Sequence, residues 1–218
     1  GALEGCGRIN AQLIVQRHRL NADQAAAADA LFYARVDGVI LPPPLGDADV
    51  LVNRLLGAGI AVVTTGSTRP ASSLASIGID DFGAALEMTR HLVRLGHRRI
   101  GFITGRPNHA SSGLRQKGYC AALEEAGIPL DEQLIATGNF TYRSGLEAAE
   151  HLLSLESVPT AIFASNDDMA AATVAAAHRQ GIDVPADLSV CGFDDTPLAT
   201  TIWPELTTIR QPVAEMSD

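Results

Sequence analysis

Short apolar runs rich in β-branched residues alternate along the chain with longer stretches whose apolar positions recur at the helical period. The predicted strands are Gln12–Gln16, Gly38–Leu41, Ile60–Thr65, Arg99–Thr104, Leu134–Thr137, Ala161–Ala164 and Leu188–Gly192. The predicted helices are Ala22–Arg35, Asp47–Ala58, Phe82–Leu95, Ser112–Ala126, Tyr142–Leu155 and Asp168–Gln180. Because single helices separate successive strands, the pattern predicts parallel sheets with right-handed crossovers, which is a doubly wound α/β fold.

One segment interrupts this alternation. Ser67–Ser76 is rich in Ser, Thr, Pro and Arg, which predicts a loop, and the short extended piece Ile77–Ile79 follows it. A domain boundary is therefore predicted near this loop.

Ligands of open α/β sheets bind at the carboxyl ends of the strands, so the candidate binding residues follow each strand. They are Pro42, Gly66, Gly105, Gly138, Ser165, Asn166, Phe193 and Asp194.

Composition narrows the class of protein. The 218 residues are 46% hydrophobic and 19% charged, which is typical of a globular chain with a real core. The 25 acidic and 16 basic residues give a net charge of −9, so the chain itself is predicted to be a poor nucleic-acid binder. Three cysteines without close spacing argue against disulfides and zinc and fit a reducing cytoplasm. No apolar run has the length of a membrane span.

Catalytic motifs are absent from the sequence. It contains no G-x-S-x-G elbow and no H-E-x-x-H pair, and the six histidines are scattered. Gly57-Ala58-Gly59 runs from a helix into a strand, the reverse of a dinucleotide-binding turn. We therefore predict no catalytic residues, no metal site and no cofactor.

Two polar side chains near predicted strand ends have competing interpretations. Asn166 suits either a helix N-cap or a hydroxyl-bearing ligand, while Asp167 beside it is predicted only to complement the helix dipole. Asp194 is either a turn former or an acceptor for two vicinal hydroxyls, and the spacing does not decide between them.

Three further side chains extend this candidate site. Arg115 is either a solvated helix cation or a guanidinium whose paired N–H groups donate to a ligand. Phe140 offers a stacking surface, and His109 lies in a loop after a strand. Together these side chains supply an aromatic ring, a guanidinium, an amide and a carboxylate. This set is more typical of a pocket for a polyol or sugar than of a catalytic centre.

Several sequence blocks carry a resemblance to a known family. The blocks are Val36–Leu41, Leu95–Gly101, Arg115–Tyr119, Ser165–Ala170, Ile182–Thr196 and Pro204–Pro212. Taken together, they resemble the effector-binding domain of the Lac repressor/Gal repressor family of transcription regulators. The resemblance covers nearly the whole chain and its motifs are specific.

The resemblance implies two periplasmic-binding-protein-like lobes of type I, with an effector in the cleft between them. One lobe would comprise residues 1–78 and 209–218, and the other residues 79–208. It also implies a helix-turn-helix DNA-binding domain and a first strand that this chain lacks. The effector class would be a mono- or disaccharide, operator DNA would bind through the missing domain, and the regulator would be a cytoplasmic homodimer.

Matching positions imply roles for individual residues. Arg115 matches the arginine that clamps the effector, and Asp194 the carboxylate that accepts from it. Asn166 matches the amide beside it, Phe140 the stacking aromatic, and Ser111 a small hydroxyl contact. Replacing Arg115 with alanine is accordingly expected to weaken effector binding with little loss of fold stability.

The chain also departs from the family pattern. Many relatives have an aspartate where this chain has Gly66 and then Ser67, which leaves a contact of the first lobe in question. His109 stands where the purine-responsive member has an arginine, which favours a sugar over a purine. The alternative function is an exported sugar-binding protein of a transport system, and a signal peptide upstream would identify it.

Overall fold

The structure is a computed structural model, and it describes residues 1–17, 29–31, 34–66 and 74–217. These residues form two compact units, Gly1–Ile79 with Pro212–Asp218, and Asp80–Gln211. Two predictions fall outside the described residues: the larger part of the helix Ala22–Arg35, and the loop from Ser67 to residue 73.

Helices and strands alternate along the described chain. The strands are β1 (Gly38–Leu41), β2 (Ala61–Thr65), β3 (Ala75–Ile77), β4 (Ile100–Thr104), β5 (Ile135–Thr137), β6 (Ala161–Ala164), β7 (Ser189–Asp194) and β8 (Thr207–Arg210). The helices are α1 (Ala2–Arg8), α2 (Asp49–Gly57), α3 (Asp81–Arg94), α4 (Ala110–Glu125), α5 (Tyr142–Leu153), α6 (Asp167–Arg179), α7 (Pro197–Thr201) and α8 (Val213–Met216).

The first unit contains a parallel sheet of order β1-β2-β3. Leu51, Val52 and Leu55 of α2 are buried against Leu41 of β1 and Val62 of β2. The predicted strand Gln12–Gln16 is wrong, because these residues form no strand and no ladder joins them to this sheet. A short apolar run needs a hydrogen-bonded neighbour to become a strand.

The second unit is built on a five-stranded parallel sheet of order β5-β4-β6-β7-β8. Successive side chains of a strand point to opposite faces, so each face has its own core. On one face Phe102 of β4 stacks on Tyr119 of α4, with ring centroids 4.8 Å apart, and meets Phe163 of β6 edge-on. On the other face Ile103 and Ile162 join a cluster that includes residues of α5 and α6.

His97, within one of the blocks that carry the family resemblance, joins two strands at their amino ends. Its Nδ1 lies 2.9 Å from Thr160 Oγ1, and its Nε2 lies 3.1 Å from Ser189 Oγ. Partial burial lowers the pKa of His97, which favours the neutral ring that these two hydroxyls can satisfy. This block therefore contributes to the sheet rather than to a binding site.

The structure confirms the doubly wound parallel α/β class. Predicted and observed ends of the strands and helices differ by at most two residues, apart from Gln12–Gln16 and the partly undescribed Ala22–Arg35. Strand β8 was missed, and the lobe boundary expected at residue 208 falls inside it, whereas the second unit continues to Gln211. The assignment of the two units to two lobes stays a prediction.

Candidate effector-binding site

The carboxyl ends of the strands in the second unit meet at one edge of the sheet. From β4 the chain passes through α4 to β5 on one side, and from β5 it crosses through α5 to β6 on the other side. The strand order therefore reverses between β4 and β6. Ligands of open α/β sheets bind at such a switch point, so this edge is the candidate binding site.

Arg115 lies on α4 behind this edge and is 4% exposed. Its Nε donates to Asp81 Oδ1 at 2.8 Å, and its Nη1 donates to the backbone carbonyl of Ser165. Its guanidinium carbon lies 3.5 Å from the centroid of the Phe193 ring. The interpretation of Arg115 as a solvated helix cation is therefore wrong.

Backbone contact between two helices helps to place Arg115 beside Asp81. One turn along α4 from Arg115, a Cβ at Gly118 would lie 2.3 Å from the carbonyl oxygen of Phe82 on α3. The glycine lets the helices approach, and Asp81 begins α3 next to Phe82. Asp81 is itself only 6% exposed, so the pair is a buried one.

The guanidinium keeps donors that the described residues do not use. Nη2 makes no hydrogen bond with any described residue, and Nη1 lies 3.9 Å from Asp194 Oδ1, beyond hydrogen-bond distance. A planar guanidinium that is held by Asp81 and by the Ser165 carbonyl, and that keeps unused N–H groups, is well suited to a ligand with paired acceptors.

Asp194 is the last residue of β7, and its side chain is 27% exposed. Burial raises the pKa of Asp194 to about 6, against the opposing effects of Arg115 and of the hydrogen bond that Gln211 Nε2 donates to Oδ1. The negative charges of Asp167 and Asp168 raise this pKa further. The surroundings of this carboxyl thus raise its pKa toward neutral pH.

Strained backbone is concentrated at this edge. Among the described residues other than glycine, five have a left-handed φ, and three of them lie here: Phe140 at 68°, Asp194 at 123° and Asp195 at 58°. Such conformations cost on the order of 1–3 kcal/mol each and persist where surrounding contacts enforce them, often at binding sites. Two of the three were candidate site residues on sequence grounds.

The structure confirms the N-cap interpretation of Asn166, and its contact with a ligand stays a prediction. Its Oδ1 accepts from the backbone N–H of Met169 at 3.1 Å, so it is the N-cap of α6. Its Nδ2 donates to the carbonyl oxygen of Phe140 at 3.1 Å, which leaves one N–H of the amide. Asn166 therefore connects the helix start to the loop after β5.

Phe140 is half-buried and packs on the end of β4, where a Cβ at Gly105 would lie 2.0 Å from Phe140 Cζ. Its ring centroid lies 5.4 Å from that of His109 and 6.0 Å from the guanidinium carbon of Arg115. His109 is the N-cap residue of α4, and Ser111 lies half-buried in the first turn of that helix. The structure thus places all six candidate residues on elements at this edge.

The expectation for Asp167 is wrong. Its side chain is fully buried and accepts hydrogen bonds from Thr196 and Thr208, rather than serving only the helix dipole. Sequence reasoning also missed Asp81 and Gln211 as partners of Arg115 and Asp194. Gln211 lies within the block Pro204–Pro212 that carries part of the family resemblance, and this is the one sequence feature that could have indicated it.

The described residues show neither a metal-binding cluster nor a membrane-spanning helix. No group of three or more His, Cys, Asp or Glu side chains in the described part of the chain could hold a metal ion. Within the same ranges, no helix is both long enough and apolar enough to cross a membrane.

Comparison with known proteins identifies the family. The family model for a periplasmic binding protein-like domain matches residues 89–218. The HTH-type transcriptional regulator DegA of Bacillus subtilis (strain 168) is 39% identical over 184 residues, which cover 84% of this chain and 54% of DegA. The solved complex of transcriptional regulator CelR with cellobiose is 32% identical with a TM-score of 0.90, covering 97% of this chain and 65% of that one.

A second solved structure is a sugar-binding transcriptional regulator of the LacI family from Escherichia coli, complexed with phosphate. It is 31% identical with a TM-score of 0.86, and the match covers 99% of this chain and 78% of that one. This chain belongs to the LacI family. The resemblance to Lac repressor/Gal repressor effector-binding domains is thereby confirmed.

Membership in the LacI family also bears on the class of activity. The matched proteins are transcriptional regulators, which confirms the prediction that this LacI-family chain is not an enzyme. The chain spans about half the length of DegA. The roles of Arg115, Asn166, Asp194, Phe140, Ser111 and His109 in binding an effector stay predictions.

Proposed function

We propose that this LacI-family domain senses a small uncharged carbohydrate at the carboxyl edge of β4, β6 and β7. The observation that carries the proposal is the Arg115 guanidinium, fixed by Asp81 and stacked on Phe193, with unused donors beside the Asp194 carboxylate. Donors and an acceptor a few ångströms apart, flanked by the half-buried Phe140 ring, match the hydroxyls and the apolar face of a sugar ring. The solved CelR–cellobiose complex of a relative supports this class of effector.

Charge favours a neutral effector over a phosphorylated one. Arg115 is paired with Asp81 at 2.8 Å and lies 3.9 Å from Asp194 Oδ1. Asp167 and Asp168 add negative charge that Asp194 experiences. Because Asp81 already neutralises the Arg115 guanidinium, a phosphate or carboxylate held at its free donors would lie close to the negative charge of Asp194.

The rest of the proposal concerns the complete regulator. The two units act as the two lobes, and the bound sugar changes the affinity of a helix-turn-helix domain for operator DNA. The regulator is a cytoplasmic homodimer. The HTH-type name of DegA, of which the chain spans about half, supports a separate DNA-binding part.

Titration calorimetry with matched neutral and phosphorylated sugars tests this function. The probes are D-ribose, D-glucose, D-galactose and cellobiose, with ribose 5-phosphate and glucose 6-phosphate as charged counterparts. We expect at least one neutral sugar to bind and to be recovered unchanged by chromatography. For ribose and glucose, we expect the phosphorylated form to bind at least tenfold more weakly than the neutral one. Consumption of a bound sugar would instead indicate an enzyme, and tighter binding of the phosphorylated form would contradict the charge argument.

A further inference from the structure

We propose that Asp167 is a positioning residue for the effector site, because it holds the turn after β7 in the conformation that presents Asp194. The inference rests on the proposed function, in which Asp194 contacts the sugar. Asp167 lies directly after the N-cap of α6 and is completely buried, so it acts through the turn rather than by touching the effector.

The hydrogen bonds of Asp167 run to two separate elements. Its Oδ2 accepts from the backbone N–H of Thr196 at 2.7 Å and from Thr196 Oγ1 at 3.0 Å. Its Oδ1 accepts from Thr208 Oγ1 on β8 at 2.6 Å. One buried carboxylate therefore ties the turn after β7 to the neighbouring edge strand.

The turn held by these bonds is the strained one. Asp194 and Asp195 both have a left-handed φ, and Thr196 is the next residue. From the other side, the backbone N–H of Gln211 donates to the carbonyl oxygen of Asp194 at 3.2 Å. The two unfavourable conformations are thus fixed at one end by Gln211 and at the other by Asp167, as strained segments require.

Asp167 packs closely against strand β7. A Cβ on Gly192 of β7 would lie 2.5 Å from Asp167 Oδ1 and 3.3 Å from Asp167 Cα. A glycine at this position lets the carboxylate lie against the strand that leads into the turn. Asn166, the preceding residue, donates to the carbonyl oxygen of Phe140. The start of α6 is therefore bonded both to the loop that carries Phe140 and to the turn that follows Asp194.

Asp168 provides a matched control for the charge of Asp167. It is the next residue of α6, it is exposed, and its charge also raises the pKa of Asp194, yet it makes none of the bonds to Thr196 or Thr208. Asp167→Asn and Asp168→Asn each remove one negative charge, but the first also disrupts the acceptor geometry. A difference in Thr196 exchange or in sugar affinity between the two variants therefore isolates the positioning role, whereas the Asp194 pKa also reflects the larger effect of the Asp167 charge.

The experiment measures three quantities in the complete chain. They are the hydrogen exchange of the Thr196 amide, the pKa of Asp194 from its carboxyl ¹³C shift, and the affinity for the neutral sugars listed above. For Asp167→Asn we expect Thr196 exchange at least tenfold faster, a downward shift of the Asp194 pKa larger than in Asp168→Asn, and sugar affinity at least tenfold weaker. Asp168→Asn should change exchange and affinity by less than twofold.

Failure of the inference differs from failure of the proposed function. If the unaltered chain binds none of the sugars, the proposed function fails, while Thr196 exchange still decides the role of Asp167. Equal Thr196 exchange in the two variants would overturn the inference. Should Asp167→Asn not fold, Thr196→Val removes one donor to Asp167 without changing charge or shape, and an affinity and an Asp194 pKa equal to those of the unaltered chain would overturn it.

Discussion

Replacing Arg115 with alanine will destabilise the domain by about 3–5 kcal/mol, the usual cost of breaking a buried ion pair by removing one partner. Asp81 would keep its charge at 6% exposure without the guanidinium that neutralises it, and Phe193 would lose the cation above its ring. Chemical denaturation measures the change in the free energy of unfolding. This result differs from the sequence-based expectation that the substitution spares the fold, because burial of Arg115 was not foreseen.

Two further variants separate stability from binding. Arg143→Ala removes an arginine that is 90% exposed and paired with Glu147 on α5, and it should change stability by less than about 0.5 kcal/mol. Arg115→Lys keeps a cation beside Asp81 but loses the planar fork, so we expect a folded domain whose sugar affinity falls at least tenfold. An Arg115→Ala protein as stable as Arg143→Ala would contradict the buried pair.

Replacing Asp194 with asparagine will stabilise the unliganded domain at pH 7–8 by about 2–3 kcal/mol while weakening sugar binding. Burial raises the pKa of this carboxyl from its usual 3.8 to about 6, so between these pH values the folded state keeps a proton that the unfolded state has released. Stability from this group is therefore full below about pH 4, falls as the pH rises to about 6, and stays low above it. Asparagine removes this cost and can still accept from Gln211.

The measurement is the difference in unfolding free energy between the Asp194→Asn variant and the unaltered chain, taken from urea denaturation at pH 4, 5, 6, 7 and 8. Carboxylates common to both proteins cancel in this difference. Asp195→Asn is the matched control, because Asp195 is the exposed neighbour, also has a left-handed φ, and asparagine tolerates that conformation. A difference that does not grow between pH 4 and pH 6 would contradict the raised pKa.

If Asp194→Asn is more stable than the unaltered chain at pH 7–8, the result would also indicate why the site contains a carboxylate. A carboxylate that lowers stability when ionised, in a strained turn, is a poor choice for the fold alone. Its expected benefit is in the complex, where sugar hydroxyls donate to the ionised form. Sugar affinity should therefore rise with pH up to about 6 and level off above it, because protonation removes the acceptor.

Strands and helices could be predicted where the local pattern decides them. The buried run Ala161–Ala164, bounded by polar residues, is found with the predicted ends. Gln12–Gln16 shows the limit, because a strand also needs a neighbour that no pattern supplies. Strand β8, with the sequence Thr-Thr-Ile-Arg, has too little apolar alternation to be recognised.

The candidate site could be predicted as a set of positions but not as a set of contacts. Strand ends and the family blocks locate Arg115 and Asp194, but the burial of Arg115 depends on Asp81, 34 residues away in sequence. The Asn-Asp-Asp run at the start of α6 has the composition of an ordinary helix start, which conceals the long-range bonds of Asp167. Tertiary partners of this kind have no local signal.

The most direct measurement for the account is an operator titration of the full-length regulator, with and without the sugar that calorimetry identifies. If binding at this edge is coupled to the DNA-binding domain, the two operator affinities should differ by a factor of about 5–150, the usual range of allosteric coupling. Arg115→Lys should bind operator as the unaltered protein does in the absence of sugar and lose most of the response to it. Identical operator affinities with and without saturating sugar would contradict the account.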